Sequence, residues 1–319
     1  MTTRRDFLTT SGLAAAAGLW SPASANAHGA REAAPSGSPN GWAGGSKLSV
    51  SSYSYWHFED EPVPIKTVID EASEIGVGGV DVLHRQMTSE DPSHARELRR
   101  YALSKGVDLV CLSIHQDFVT PDEGERGMHV DHTIRALELA DTMGIPCIRV
   151  NSGRWGTVDS FDRLMELDGE EPPLEGYARE DAFGWCIEAF EECVPAAREL
   201  GVVMALENHW GLTSTAEGVL RIVDAVDSPW LQVLADTGNF PDRPYEQLEM
   251  LAPETILVSA KTYYGGGVWY SLDLDYPRIA RIFRQAGYEG YVTLEFEGQA
   301  EAAPSVRKSL RRIGDAFGS

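Results

Sequence analysis

The sequence has little positive charge and no long apolar segment. Only five of its 319 residues are lysine, and 27 Lys and Arg stand against 49 Asp and Glu, which gives a formal net charge of −22. A surface this acidic repels phosphate backbones and anionic lipid, and this argues against nucleic acid and membrane surfaces as partners. No apolar run is long enough to span a membrane. No Gly-rich phosphate loop is present, which argues against a phosphorylated substrate.

Cysteine is also scarce, with four residues in the chain. Cys111 and Cys147 fall inside apolar strand candidates, whereas Cys186 and Cys193 share one predicted helix and lie too far apart along it to be bridged. We therefore predict four free thiols. With 43% hydrophobic and 24% charged residues, the composition is typical of a folded soluble domain.

The N-terminus has the features of a targeting segment. Thr3–Leu8 resembles the twin-arginine signal pattern, an apolar stretch follows at Gly12–Trp20, and Ala25–Ala27 offers small residues for cleavage. No cysteine follows that would carry a lipid anchor. The sequence predicts export to the periplasm or the extracellular space, with no membrane anchor after cleavage, and this division of the chain: signal peptide 1–27, flexible leader 28–45 and folded domain 46–319.

From residue 47 onward, short apolar strands alternate with amphipathic helices, which is typical of a parallel α/β fold. The helix around Ile65 to Ile75, for example, repeats its apolar residues with helical period. Eight such strands over roughly 270 residues predict a single closed (β/α)8 TIM barrel. An open doubly wound sheet is the alternative, but no dinucleotide fingerprint follows the first strand. The predicted strands are Leu48–Ser52, Gly79–Leu83, Val107–Ser113, Cys147–Asn151, Val202–Glu207, Leu231–Asp236, Ile256–Lys261 and Tyr291–Glu295.

Carboxylates stand at the ends of three predicted strands: Glu207, Asp236 and Glu295 each follow an apolar run. Active sites of such barrels are built at the carboxyl ends of the strands, so these three side chains should converge there. Without a cation they would repel one another. Oxygen-rich ligation suits Mn²⁺ or Mg²⁺, with Zn²⁺ or Co²⁺ as options if an imidazole joins. The alternative is that they form ion pairs with Arg or Lys across the rim.

Other polar and aromatic residues fall in the loops on the same rim. Flat aromatic faces stack on the C–H surfaces of sugars, and the histidines and amides can bind hydroxyls; the alternative is that these side chains are solvated or pack within their loops. A small-molecule carbohydrate is the predicted partner, and a homo-oligomer is compatible with the sequence. The predicted substrate-binding residues are His57, His84, His115, Asn151, Arg154, Trp155, His209, Asn239 and Tyr263.

Several motifs resemble those of the sugar phosphate isomerase/epimerase family, the xylose isomerase-like TIM barrels. They are Leu206–His209, Asp236–Asn239, Leu294–Gly298, Ser113–His115 and Arg149–Gly153, so that the similarity covers roughly residues 47 to 300. The resemblance implies that Glu207, Asp236 and Glu295 bind one divalent ion. It also implies that the two glutamates act as the acid/base pair, and Lys261 keeps its family position.

The chain departs from the family pattern on the seventh strand. Where relatives have a histidine two residues before the lysine, this sequence reads Ser259-Ala260-Lys261. His209 or water can then supply the fourth ligand, unless the metal is held weakly or not at all.

The sequence thus predicts an exported, metal-dependent isomerase or epimerase that acts on a non-phosphorylated sugar or ketosugar through an enediolate. Lys261 would stabilise the developing oxyanion. A rival interpretation is a lyase that expels the C1 substituent of a 3-keto-glycoside. A barrel that binds sugar without catalysis is the non-enzymatic alternative, and an endonuclease of the related apurinic-site class fits neither the charge nor the export.

Overall fold

The computed structural model describes residues 47–58 and 61–318. Eight parallel strands form a closed barrel in sequence order, because the first strand also pairs with the last. The predicted TIM barrel is therefore confirmed. The predicted signal peptide 1–27 and leader 28–45 lie outside the described residues.

The strands lie within two residues of their predicted bounds, and those of β2 and β6 agree at both ends. They are β1 Lys47–Ser51, β2 Gly79–Leu83, β3 Asp108–Ser113, β4 Cys147–Val150, β5 Val203–Glu207, β6 Leu231–Asp236, β7 Thr255–Thr262 and β8 Tyr291–Phe296.

Helices follow the strands and cover the outside of the barrel. They are α1 Ile65–Ile75, α2 Pro92–Lys105, α3 Glu123–Met143, α4 Phe161–Glu166, α5 Arg179–Leu200, α6 Ala216–Val226, α7 Pro244–Leu251, α8 Tyr276–Gln285 and α9 Ala302–Phe317. In the described part of the chain, no helix is both long and apolar enough to cross a membrane.

Two apolar layers hold the barrel together. The outer layer lies between strands and helices, where Val68, Ile69 and Ala72 of α1 are fully buried. The inner layer fills the barrel below its mouth and is a smaller cluster. The members of the inner layer are Val110, Cys111, Cys147, Ala205, Leu234 and Leu257. A hydrogen bond of 2.7 Å between the hydroxyls of Ser49 and Thr293 joins β1 to β8.

All four cysteines are buried and free, as predicted. Cys111 and Cys147 lie side by side in the inner layer, and the Cys147 thiol donates to the carbonyl of Val110 at 3.3 Å. Burial raises the pKa of the Cys111 thiol well above its usual value, so this thiol remains protonated.

Candidate functional site

One polar side chain per strand closes the inner layer toward the mouth of the barrel. Side chains alternate along a strand, so the residue two positions beyond an inner-layer residue also points inward. At this level the eight strands contribute a set of side chains that we call the polar ring: Ser51, Asp81, Ser113, Arg149, Glu207, Asp236, Ser259 and Glu295.

Three members of the polar ring form a carboxylate cluster. Glu207, Asp236 and Glu295 each place one oxygen so that all three lie within 4.8 Å of one another. Asp236 Oδ1 accepts a hydrogen bond of 2.7 Å from the amide of Gly238. Its Oδ2 is buried and has no hydrogen-bond partner among the described residues. Burial and the nearby glutamates raise the pKa of Asp236 well above its usual value. A cation placed between the three side chains would supply the missing partner.

Two basic side chains contact this cluster. Arg149 Nη1 donates to Glu207 Oε2 at 2.8 Å. Lys261 Nζ lies 3.5 Å from Glu295 Oε1 and 4.0 Å from Asp236 Oδ2. Burial opposes the charge on Lys261, but the surrounding carboxylates raise its pKa well above the usual value. The sequence left two alternatives for these carboxylates, convergence or ion pairs with Arg or Lys. In the structure the three carboxylates converge and also pair with Arg149 and Lys261.

Carboxyl groups still outnumber the cations at this end of the barrel. Among the residues that the structure describes, only Arg149 and Lys261 form ion pairs with this set. The excess has to be protonated or balanced by a bound cation. The carboxyl groups concerned are Asp81, Glu207, Asp236, Glu295 and Glu297.

A cavity of about 200 Å³ lies above the polar ring, and we call it the central cavity. Its lining combines polar and charged side chains with aromatic ones, as in many sites for small polar ligands. Trp269 Nε1 donates to Tyr53 Oη at 3.3 Å, and Tyr53 Oη donates to Glu297 Oε1 at 3.1 Å. The aromatic and histidine side chains that line it are Tyr53, Phe58, His115, His209, Trp210, Trp269 and Tyr270.

The structure brings most of the predicted chemistry to this cavity. Lys261, Glu295, His115 and His209 line it. Glu207 and Asp236 lie in the ring beneath, 1% and 0% exposed. Burial lowers the pKa of His115 and His209, with Arg149 adding to the effect, so both imidazoles are neutral hydrogen-bonding groups near pH 7.

Two further predicted residues lie directly behind the lining. Asn239 Oδ1 accepts from Lys261 Nζ at 3.0 Å and from Tyr270 Oη at 3.0 Å. The ring of Tyr263 contacts that of Tyr270, with 5.9 Å between centroids. Asn239 and Tyr263 thus hold Lys261 and Tyr270 in place.

Two of the predicted histidines do not line the central cavity. His57 Nε2 contacts the carbonyl oxygen of Phe296 at 2.6 Å, and its backbone is left-handed, with φ of 54°. His84 Nε2 lies 2.9 Å from Glu90 Oε1. Local partners hold both imidazoles away from the cavity.

Asn151, Arg154 and Trp155 also lie outside the lining of the central cavity. The main chain of Asn151 is hydrogen-bonded to the side chain of Gln116, whose Nε2 donates to the Asn151 carbonyl oxygen at 2.6 Å. Arg154 pairs with Glu171 at 3.3 Å, and Trp155 packs on Trp185 with 5.8 Å between ring centroids. These residues organise the long connection between β4 and α5.

Reading only strand ends and the loops after them missed the first half of the ring. Ser51, Asp81, Ser113 and Arg149 all line the central cavity but stand within or at the last position of their strands. Counting two residues on from Cys111 and Cys147 of the inner layer would have identified Ser113 and Arg149, because side chains alternate along a strand with a period of two. Tyr53, Phe58 and Trp210 come from loops whose conformation carries no comparable signal.

With this geometry established, comparisons with known proteins agree with the architecture. A family model described as "Xylose isomerase-like TIM barrel" matches residues 69–315. A 3-oxo-isoapionate decarboxylase of Pectobacterium atrosepticum is 22% identical over 225 residues, which is 68% of either chain.

Solved structures give the same fold. A D-psicose 3-epimerase, crystallised in the presence of D-fructose, superposes with a TM-score of 0.68 at 16% identity, over 86% of this chain and 100% of the other. A 3-keto-D-glucoside 4-epimerase from E. coli superposes with a TM-score of 0.66 at 18% identity, over 84% and 98%. At these identities the likeness concerns the fold.

Proposed function

The chain belongs to the xylose isomerase-like TIM-barrel family, and from this premise we propose that it is a metal-dependent enzyme that isomerises or epimerises a non-phosphorylated sugar or ketosugar through an enediolate. The observation that carries the proposal is the carboxylate cluster at the floor of a small cavity, beside a buried lysine. Three converging carboxylates favour a divalent ion, and aromatic walls suit the C–H faces of a sugar.

Glu207, Asp236 and Glu295 would hold the ion. The fit rests on the buried Oδ2 of Asp236, which lacks a hydrogen-bond partner, and on an all-oxygen donor set, which favours Mn²⁺ or Mg²⁺. His209, on the cavity wall, or water would complete the coordination, and with imidazole Zn²⁺ or Co²⁺ become alternatives. When bound, such an ion polarises a substrate carbonyl and lowers the pKa of the neighbouring C–H.

Glu295 is the more accessible of the two proposed bases, since it lines the central cavity. Ser259 orients its carboxylate, because the Ser259 Oγ donates to Glu295 Oε2 at 3.1 Å. Glu207 lies three strands away around the barrel and shares its carboxylate with Arg149. Removal of the proton by one glutamate and its return by the other gives epimerisation, whereas one base on one face gives isomerisation. Lys261 Nζ faces the same cavity and would donate to the developing oxyanion.

The test is a panel of free sugars, ketosugars and keto-glycosides, followed by NMR in D₂O with and without Mn²⁺. The enzyme should wash deuterium into the reacting carbon of its substrate, whereas a binding protein should not. The matched variant is Asp236→Asn, which should lose the divalent ion in metal analysis and the exchange together. Full exchange in Asp236→Asn, or no stoichiometric ion in wild type, would contradict the proposal.

A keto-glycoside lyase is the second candidate. It is favoured by the exposed aromatic side chains Phe58 and Trp269 at the mouth, 41% and 47% exposed, which can receive a group beyond the first sugar. Elimination would yield an unsaturated keto-sugar and a free leaving group, both visible in the same NMR experiment. Epimerisation conserves the substrate mass, so the two outcomes are distinct.

Export by the twin-arginine route is also proposed, on the pattern around Arg4 and Arg5. A fusion of the first 45 residues to a folded reporter should be exported. Replacing both arginines with lysine should retain the reporter in the cytoplasm, and unchanged export would contradict this route.

A further inference from the structure

Asp81 is a buried carboxylate of the polar ring on β2, opposite Asp236 of the carboxylate cluster and two strands from Glu295. It is 6% exposed and lines the central cavity with Ser51 and Ser113. Ser113 Oγ donates to Asp81 Oδ1 at 2.8 Å, and Ser51 faces Asp81 in the register of β1 and β2. Within residues 47–58 and 61–318, no Lys, Arg or His nitrogen lies within 4.0 Å of this carboxylate.

The nearest basic side chain is committed elsewhere. Arg149 follows Ser113 in the β3–β4 register, but its Nη1 donates to Glu207 and its Nη2 to the carbonyl of Ile114 at 3.0 Å. The Asp81 carboxyl therefore lies in a poorly solvated position with hydroxyl partners only. Burial raises its pKa to about 6, partly offset by the two serines and Arg149. Such a position is costly unless a ligand uses it.

We propose that Asp81 is the specificity-determining residue of a polyol subsite: its carboxylate accepts hydrogen bonds from substrate hydroxyls, beside the hydroxyls of Ser51 and Ser113, and excludes an anionic group at that end. This rests on the proposed function, in which the substrate is a sugar. In this arrangement the neutral, hydroxylated end of the sugar binds beside β1–β3, and its reacting carbons lie over the carboxylate cluster.

The barrel geometry supports this division. In a closed barrel of eight strands in sequence order, β2 stands opposite β6, so Asp81 faces Asp236 across the cavity. A substrate whose carbonyl end sits over the cluster must direct its other end toward β1–β3. Because an ionised carboxylate only accepts hydrogen bonds, its natural partners there are hydroxyl donors.

Charge selects against the alternatives. Asp81 lines the central cavity on this side, and Glu295 and Glu297 line it at the end of the neighbouring β8, so a phosphate or carboxylate here would meet carboxylates. Like charges brought together out of water repel strongly. The subsite thus gives a physical reason for a non-phosphorylated substrate, independent of the missing phosphate loop.

The test compares wild type with Asp81→Asn, which keeps the size of the side chain, and with Ser113→Ala. The control is Ser49→Ala, which removes a buried hydroxyl below the ring, where it contacts Thr293. The probes are D-fructose and D-fructose 6-phosphate, with binding followed by calorimetry in the presence of Mn²⁺. KM and kcat are then measured with the substrate found by the exchange screen and with its analogue that lacks the terminal hydroxyl.

Wild type should bind D-fructose and reject the phosphate ester. Asp81→Asn should weaken binding of the free sugar about 10- to 100-fold, the range for a hydrogen bond to a charged group, and should reduce the discrimination against the ester. KM should rise while kcat changes little, and the deoxy analogue should show no further loss in the variant. Ser49→Ala should behave as wild type.

Three results would overturn the assignment: sugar affinity within twofold of wild type in Asp81→Asn, an equal loss in Ser49→Ala, or a drop in kcat at constant KM. Failure of the subsite is distinguishable from failure of the proposed function. If the proposed function fails, wild type itself will bind no sugar and exchange no substrate proton. If only the subsite fails, wild-type exchange persists and the behaviour of Asp81→Asn or of the control contradicts the assignment. Melting curves of each variant identify any loss of folding.

Discussion

Arg149 and Glu207 form a buried ion pair between adjacent strands, with 2.8 Å from Nη1 to Oε2 and side chains 11% and 2% exposed. The same Glu207 carboxylate belongs to the cluster that we propose to hold a divalent ion. The guanidinium and the proposed metal ion would therefore share one carboxylate, and each would partly compensate for loss of the other.

Arg149→Met should lower stability in metal-free buffer, because it leaves Glu207 buried without a partner. Breaking a buried pair from one side costs about 3–5 kcal/mol. Added Mn²⁺ should then raise the Tm of the variant more than that of wild type, because the ion no longer competes with Arg149 for the Glu207 carboxylate. Thermal unfolding in EDTA and in Mn²⁺ measures both effects.

The control for this experiment is Arg163→Met, which removes an exposed pair with Glu166. Such pairs contribute little, so its Tm should stay near that of wild type under both conditions. An equal Mn²⁺ shift in Arg149→Met and wild type would show that Glu207 is not a ligand.

The pH dependence of stability tests the environment of Asp81. Its pKa is raised from 3.8 to about 6, chiefly by burial, with Glu295 raising it further and Ser51, Ser113 and Arg149 lowering it. The folded protein therefore holds this proton more tightly than the unfolded chain, and stability is lost as the pH rises from about 4 through 6. Two pKa units correspond to about 3 kcal/mol.

Asp81→Asn should remove that penalty. In metal-free buffer the variant should be more stable than wild type above pH 6, and the difference should shrink toward pH 4, which is close to the unfolded pKa of 3.8. Tm measured from pH 4 to 8 reads this out, with exposed Asp273→Asn as the control. A difference independent of pH would show that Asp81 does not titrate in this range.

How far the sequence could anticipate this molecule depends on the kind of signal. Apolar strands alternating with amphipathic helices predicted all eight strands, because strand and helix periods are fixed by backbone geometry. Glu207, Asp236 and Glu295 were identifiable because each ends an apolar strand. The orientation of His57 and His84 was not, since it depends on a left-handed turn and on a local partner, Glu90.

The pairing of Arg149 with Glu207 lay outside what the sequence reveals. Each residue stands on its own strand, more than 50 positions apart, and only the β4–β5 register brings them together. Register in a barrel follows from closure of the whole sheet. Asp81 shows the opposite case, because a charged residue between Val80 and Val82 is a signal within the strand itself.

Ser259→His tests whether the position on β7 can hold a ligand. Ser259 pairs with Asp236 in the β6–β7 register, and its Oγ reaches Glu295 Oε2 at 3.1 Å. An imidazole there would add a nitrogen donor to an all-oxygen set, which favours Zn²⁺ and Co²⁺ over Mg²⁺.

The expected result for Ser259→His is a gain of at least about tenfold in Zn²⁺ affinity, equivalent to about 1.4 kcal/mol, with Mg²⁺ affinity little changed. Competition calorimetry measures the ratio. Ser113→His, on the opposite side of the ring, is the matched control and should not raise Zn²⁺ affinity. An equal gain in both variants would mean that the new imidazole binds zinc independently of the cluster.

Glu295→Gln tests the acid/base role most directly. Glu295 lines the central cavity, Ser259 orients one of its oxygens, and Lys261 lies 3.5 Å from the other. A general acid or base typically contributes about 10²- to 10⁴-fold, so turnover and deuterium exchange should both fall by at least 10²-fold. Ser259→Ala, which only frees the carboxylate, should cost far less. Because Glu295 is also a proposed ligand, the ion bound per chain must be measured in each sample. A variant that keeps its ion and exchanges the substrate proton at the wild-type rate would reduce Glu295 to a ligand, and a single-base or eliminating mechanism would then account better for the site.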